Sequence, residues 1–287
     1  MKLINNENAT EQYKYKLPTR KEIDYYDMSG VLGKYENNLD SIIKDGPFLL
    51  SLDGRGMIDG GDTTFHTGHA LSAQAILHGK DSLKGKCPIL DADTMMKKLY
   101  AGKGLYRRHP DKKMWYSENN RVGRDQQKPV IMAESFIKGS WKRVVPFILR
   151  HFILRLGLFE AKTKDNGNDY SKVPTLTFFT IWASYIRYFI AAGFWPAKVL
   201  IPLLWIFDIE IFINGKIKAK SQYADKDVLN HIAYSYWFAT CSNTYFSRKN
   251  MENMDREDMI ARLRDYYDDG RCPFFVAEMW VQILRKN

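Results

Sequence analysis

The chain is predicted to be all-α, built from antiparallel helical hairpins in an (α/α)-toroid-like or irregular bundle arrangement, with long polar loops gathered at one end. Three observations lead to that class. Apolar residues recur at helical spacing almost without interruption from residue 123 onward. No period-two alternation of the kind a half-buried strand needs persists for more than a few residues. Short breaks separate ten or so helical segments, a pattern that packs as hairpins about one core. The 287 residues are 45% hydrophobic and 14% aromatic, enough apolar surface for a sizeable interior. The expected division is a flexible polar leader over 1–18 and a single helical domain over 19–287.

Residues 19–46 are expected to form one or two helices, with Ile23, Tyr26, Leu32, Leu39 and Ile42 as an imperfect apolar face. The stretch "PFLLSLDG" is short and extended. Thr63 or Thr64 can cap a helix running through Ala70–Leu77, and Gly79 ends it. "DADTMMKKLYAG" is a short helix with Asp91 or Asp93 at its cap and Gly102 after its end. Residues 103–122 lack clear periodicity and form a long loop with room for a small hairpin. Helices follow at about 123–138, 140–158, 174–192, 196–219, 225–246, 255–268 and 273–285, and 160–172 is an exposed tip between two of them. Residues 173–213 are strongly apolar, but their longest uncharged run, Val173 to Ile186, is 14 residues. A spanning helix needs about 18 or more. With a break at Gly193–Pro196, two buried helices are expected rather than a membrane hairpin. A peripheral membrane protein using Phe179, Trp182, Phe194 and Trp195 is the alternative.

The formal net charge of +10, from 43 basic and 33 acidic residues, favours acidic partners: an anionic glycan, a nucleic acid or a membrane surface. The alternative is a basic protein with no such partner. No run of like charges marks a nucleic-acid tail, and nothing matches an RRM, KH or OB pattern, so sequence-specific nucleic acid is not an expected partner. Cys87, Cys241 and Cys272 are odd in number and in no metal-ligand spacing, which fits buried thiols in a reducing compartment. The N-terminus has no apolar signal-peptide core. A cytoplasmic or virion-associated location is therefore expected. The abundance of Asn, Lys, Asp and Tyr suits an AT-rich genome such as a phage's.

Two polar loops carry the candidate chemistry. In the first, Asp53, Asp59 and Asp62 lie among Gly54, Gly56, Gly60 and Gly61. Glycines let a ligand approach the backbone closely, and the dipole of the following helix would hold the Asp62 carboxylate ionised. The alternative is that Asp62 is an N-cap and the other aspartates form turns. A calcium loop fails on the EF-hand spacing and has no closing Glu. His66 and His69 are an i, i+3 pair, but no Glu separates them as in a zinc-protease motif, so a structural or substrate-contacting role is expected. In the second loop, "RRHP", "MWY" and "NRVGRDQ" supply Arg107, Arg108, His109, Trp115, Tyr116, Arg121, Arg124 and Asp125. Sugar-binding clefts use this mixture: aromatic faces stack on pyranose rings, arginines meet carboxylates or hydroxyls, and a carboxylate moves protons. Arg124 favours an ionised Asp125. The alternative has Asp125 capping the next helix and the arginines solvated. A third edge, Asp268, Asp269 and Arg271, precedes a closing helix with Trp280 inward; solvated acids at a helix end are the simpler account.

The order "DGGDTTFHTGHAL", "RHP…W" and "NRVGRDQQKP" resembles a group of mostly uncharacterised bacterial and phage proteins similar to the six-hairpin (α/α)-toroid glycosidases. Those proteins carry an Asp-rich stretch leading into a helix and, later, an "S-R-D-[QM]" helix start. Arg124 and Asp125 match that second motif, whereas Gly123 stands where the group has Ser. The matching motifs cover about 80 residues. The resemblance implies cleavage of a glycan with no metal or organic cofactor. Asp62 and Asp125 would then be the catalytic pair. Asp59, His66, His109, Trp115, Tyr116 and Arg124 would bind substrate. The alternative is a non-catalytic virion or assembly protein on a similar fold, with other virion proteins as partners.

Overall fold

The computed structural model describes residues 51–52, 58–59, 63–79, 92–110, 122, 124–151, 164–165, 168–169, 178–218, 225–268, 272 and 274–286. The helices expected in 19–46, along with Asp53, Asp62, Trp115 and Tyr116, lie outside the described residues. Among those described there are ten α-helices: α1 (Thr63–His78), α2 (Ala92–Leu99), α3 (Arg124–Phe136), α4 (Trp141–Leu149), α5 (Phe178–Ala191), α6 (Ile201–Lys218), α7 (Asp225–Ser242), α8 (Tyr245–Glu252), α9 (Arg256–Asp268) and α10 (Phe274–Lys286). A 3₁₀ segment, Trp195–Leu200, leads into α6. The strands form three two-stranded antiparallel ladders: β1 (Ser51–Leu52) with β2 (Ile58–Asp59), β3 (Tyr100–Gly102) with β4 (Leu105–Tyr106), and β5 (Lys164–Asp165) with β6 (Asn168–Asp169). The chain is therefore mostly helical, as the apolar spacing predicts.

The centre of the fold is α1. Every residue from Thr63 to Ala75 is buried, and the helix packs between α3 and α10. Its closest approach is to α3: a Cβ built on Gly68 would lie 2.7 Å from the Pro129 carbonyl carbon and oxygen. Glycine costs a helix about 1 kcal/mol relative to alanine. It is retained here because no side chain fits between the two backbones. Pro129, inside α3, brings the other surface of the contact and gives up one helical N–H.

Two buried charge networks tie further elements together. Arg143 on α4 grips Glu134 of α3 with both arms of its fork (Nε to Oε1 2.8 Å, Nη2 to Oε2 2.7 Å) and donates to Asp93 of α2 at 2.8 Å. Tyr106 of β4 donates its hydroxyl to the same Glu134 oxygen at 2.7 Å. Burial pushes the Glu134 carboxyl up, and the guanidinium and phenol oppose that shift. Burial also acts on Asp93, but Lys97 and Arg143 more than offset it and hold that carboxyl below its ordinary value. In the second network Arg187 of α5 and Asp208 of α6, both wholly buried, pair through two bonds of 2.8 and 2.5 Å. Asp208 also accepts from the Thr244 hydroxyl, and the guanidinium lies 3.8 Å over the Phe238 ring.

Two details depart from the expected boundaries. The helix expected over 225–246 is two helices, because Asn243 takes φ 46° and Thr244 caps α8 by accepting from the Ser247 N–H. Residues 100–106 form a hairpin whose turn places Lys103 and Gly104 at φ 51° and 71°, the double left-handed geometry of a type I′ turn. A Cβ on Gly104 would also meet the Pro146 carbonyl oxygen of α4 at 2.3 Å, so the turn is seated against α4.

Gly68→Ala is expected to destabilise the protein by about 1–3 kcal/mol despite its higher helix propensity. A urea-unfolding midpoint equal to or above wild type would show that α1 and α3 can separate without cost. Arg143→Met, which strands Glu134 in the interior, is expected to cost about 3–5 kcal/mol, with part recovered in Arg143→Met/Glu134→Leu. The same denaturation series checks both.

Candidate functional site

Helices α1 and α3 begin at the same end of the molecule. The Thr64 N–H donates to the Arg108 carbonyl at 3.1 Å, and the Thr64 hydroxyl reaches the carbonyls of Arg107 (2.5 Å) and Arg108 (2.7 Å). Two residues back, the Tyr106 carbonyl accepts from the Val122 N–H at 3.3 Å. Residues 106–108 span no more than about 7 Å, so Thr64 and Val122 flank one short piece of chain. Gly68 and Pro129, where the helices cross, each lie five residues from their helix start, about 8 Å along the axis. Two positive helix ends are thereby brought to one place, which favours carboxylates and anionic ligands there.

Beneath this end lies a polar and aromatic layer unusual for a protein interior. His66 and His69 are fully buried. The His69 ring packs against Phe65 (4.6 Å between centroids), Tyr234 of α7 (6.1 Å) and Trp280 of α10 (6.1 Å), and His66 lies 6.4 Å from Tyr266 of α9. Lys128 of α3 sits 5.1 Å over the Tyr234 ring. His69 Nε2 meets Asn230 Oδ1 at 3.1 Å; a carbonyl oxygen only accepts, so Nε2 carries the proton and Nδ1 is left as an acceptor. Burial pulls His69 down from 6.5 to about 3; the Asn230 bond opposes this and the neighbouring His66 adds to it. The ring is neutral at physiological pH. The hydroxyls of Thr63 and Thr67 and the indole N–H of Trp280 are buried with no hydrogen-bond partner among the described residues. Such groups are rare in folded proteins because each leaves a desolvation cost unmet.

Of the residues singled out in the sequence, Asp59 lies on β2, paired with Ser51 of β1. Arg124 and Asp125 occupy the first two positions of α3. His66 and His109 are wholly buried, so they belong to the floor of this region. Asp62, Trp115 and Tyr116 lie outside the described residues, although the segments that hold them end at the Thr64–Arg108 and Val122–Tyr106 contacts. Sequence reasoning took Thr63 as no more than a possible cap, and missed Thr67, Asn230, Tyr234 and Tyr266. The signal was present in "TTFHTGH", whose polar residues surround the helix axis and leave no apolar face to mark an inside. Among the described residues no group of three or more His, Cys, Asp or Glu side chains could hold a metal ion. Cys272 is buried and Cys241 half-buried, and burial pushes the Cys272 thiol well up.

Comparison with protein-family models, curated proteins and solved structures finds no match to this chain.

The folded-state pKa of His69 lies below its unfolded value. Its contribution to stability is therefore present above about pH 6.5 and is lost as the pH falls toward 3. Equilibrium unfolding between pH 7 and pH 4 is expected to show His69→Gln reducing the slope of stability against pH by about one proton. An unchanged slope would mean that His69 titrates in the folded protein as it does in water.

Proposed function

We propose that the chain cleaves a glycan, preferentially an anionic one, in a cleft at the shared start of α1 and α3, with Asp62 and Asp125 as its two carboxylates. The observation that carries this proposal is the bonding of Thr64 to Arg107 and Arg108. It joins the end of the glycine-aspartate loop to the start of the arginine-aromatic loop. Asp62 precedes α1 by one residue in the sequence and Asp125 is the second residue of α3, and the proposal puts both at the end where those helices start. Hydrolysis of a glycosidic bond takes one carboxyl as acid and the other as base or nucleophile. Two carboxylates in one cleft repel, which raises the pKa of one of them and divides the roles. Arg124 would position an anionic substituent and Trp115 and Tyr116 would stack on sugar rings. Asp59 would bound the cleft, and the buried His66 and His109 would support its floor. The helices then correspond to the hairpins of an (α/α) toroid, which the motifs resemble.

A second proposal is a non-catalytic glycan-binding or virion assembly protein. The complete burial of His66 and His109 favours it, because two groups suited to proton transfer are withdrawn from the surface. Turnover separates the two proposals. Asp62→Asn and Asp125→Asn are each expected to abolish release of reducing ends from a responsive anionic polysaccharide while leaving the melting temperature within a degree or two of wild type, since an amide keeps the size and capping ability of a carboxylate but not its proton chemistry. Retained turnover in both variants would end the enzymatic proposal.

A further inference from the structure

The 3₁₀ segment and α6 are apolar on two opposite sides. One side is core: Ala197, Leu204, Asp208 and Ile211 are buried, Asp208 through its pairing with Arg187. The other side faces outward, with Trp195 74%, Val199 70% and Ile206 57% exposed, and with Leu203, Ile209 and Ile213 continuing the stripe. The spacing 199, 203, 206, 209, 213 is that of one helical face. Over Trp195–Ile213 the stripe runs about 30 Å, longer than the isolated apolar patches of ordinary monomer surfaces. A helix apolar all round is normally covered on all sides.

The charges on this face point to what covers it. Among the exposed residues from Ala192 to Ile213, Lys198 alone is charged. The one carboxylate on the same arc, Glu210, is half-buried and turned onto α5, where it accepts the Thr180 N–H at 2.7 Å. The surface is thus apolar and aromatic at its leading end, and its single exposed charge, Lys198, is positive, on a chain of net charge +10. Two such chains repel one another, whereas an anionic surface attracts them. Among the described residues no helix is long and apolar enough to cross a membrane, so the helix would lie along the bilayer. Indole rings and lysine at the headgroup level above buried aliphatic side chains are the composition of an interfacial helix.

We propose that the outer face of the 3₁₀ segment and α6 docks flat into the headgroup region of an anionic lipid bilayer. The proposal is independent of glycan cleavage, since none of its residues belongs to the cleft. Flotation of the full chain with phosphatidylcholine vesicles, with and without phosphatidylglycerol, tests it. Wild type is expected to float with the anionic vesicles and to bind neutral ones at least roughly fivefold less. Val199→Asp/Ile206→Asp, at positions exposed enough to leave the fold intact by circular dichroism, is expected to stay at the bottom of the gradient. Failure of wild type to float, or undiminished flotation of the variant, would overturn the proposal. So would a lipid-free dimer of wild type in sedimentation that the same variant dissolves, because a second copy would then be the occupant.

Discussion

Everything described in this fold is arranged about the crossing of α1 and α3, where the absence of a side chain at Gly68 lets one backbone rest on Pro129 of the other. Close approach in water is normally limited by side-chain volume, and helix axes in soluble proteins stand about 8–10 Å apart. A glycine facing a proline removes the Cβ on one side and offers a rigid ring on the other. The two helices then meet near their starts, which brings both N-termini to one end. The buried position of α1 follows as well, because a helix touched this closely on one side and packed on α10 on another has little surface left for solvent.

That burial sets the chemistry beneath the shared start of α1 and α3. A central helix of ordinary composition would offer only aliphatic side chains, but α1 brings Thr63, His66, Thr67 and His69 into the interior. The neighbouring helices answer with groups that are partly polar: Asn230 bonds His69, and Tyr234, Tyr266 and Trp280 present rings rather than aliphatic chains. The neutrality of His69 is a consequence of this packing: burial disfavours the charged ring more than its one bond, to the Asn230 amide oxygen, restores it, and the neighbouring His66 opposes the charge further. The Glu134–Arg143 network is built the opposite way, with full charges matched by a fork and a phenol.

Helix positions were legible in the sequence wherever an apolar stripe of period 3.6 ran between clear stops, as in α5, α9 and α10. The break at Asn243 was hidden because apolar residues resume at helical spacing beyond it, Tyr245 standing four residues after Cys241; the local chemistry of an Asn able to adopt a left-handed turn, followed by a capping Thr, decides there. For α1, its existence was legible from Thr63 and Gly79, but its place at the centre was not. Periodicity reports which face is inside, and a helix buried on every face has no such contrast. The start of α1 meets the residues that open the second polar segment, and the bond that joins them runs from a threonine side chain to two backbone carbonyls. Carbonyls carry no residue identity, so no motif could have named them. The exposed side of α6 was read as core for the same reason in reverse: an apolar residue looks alike whether the protein or something else covers it.

The pairing of Arg187 with Asp208 has a mechanical meaning. An ion pair with no exposure is costly to break, because losing either partner leaves the other charge buried and uncompensated. The last third of α5 is thereby held to the middle of α6, and Thr244 holds the start of α8 to the same carboxylate. Parting α6 from α5 would strand a buried charge, and the same carboxylate ties the start of α8 to that pair, beside the place where Arg187 lies on Phe238.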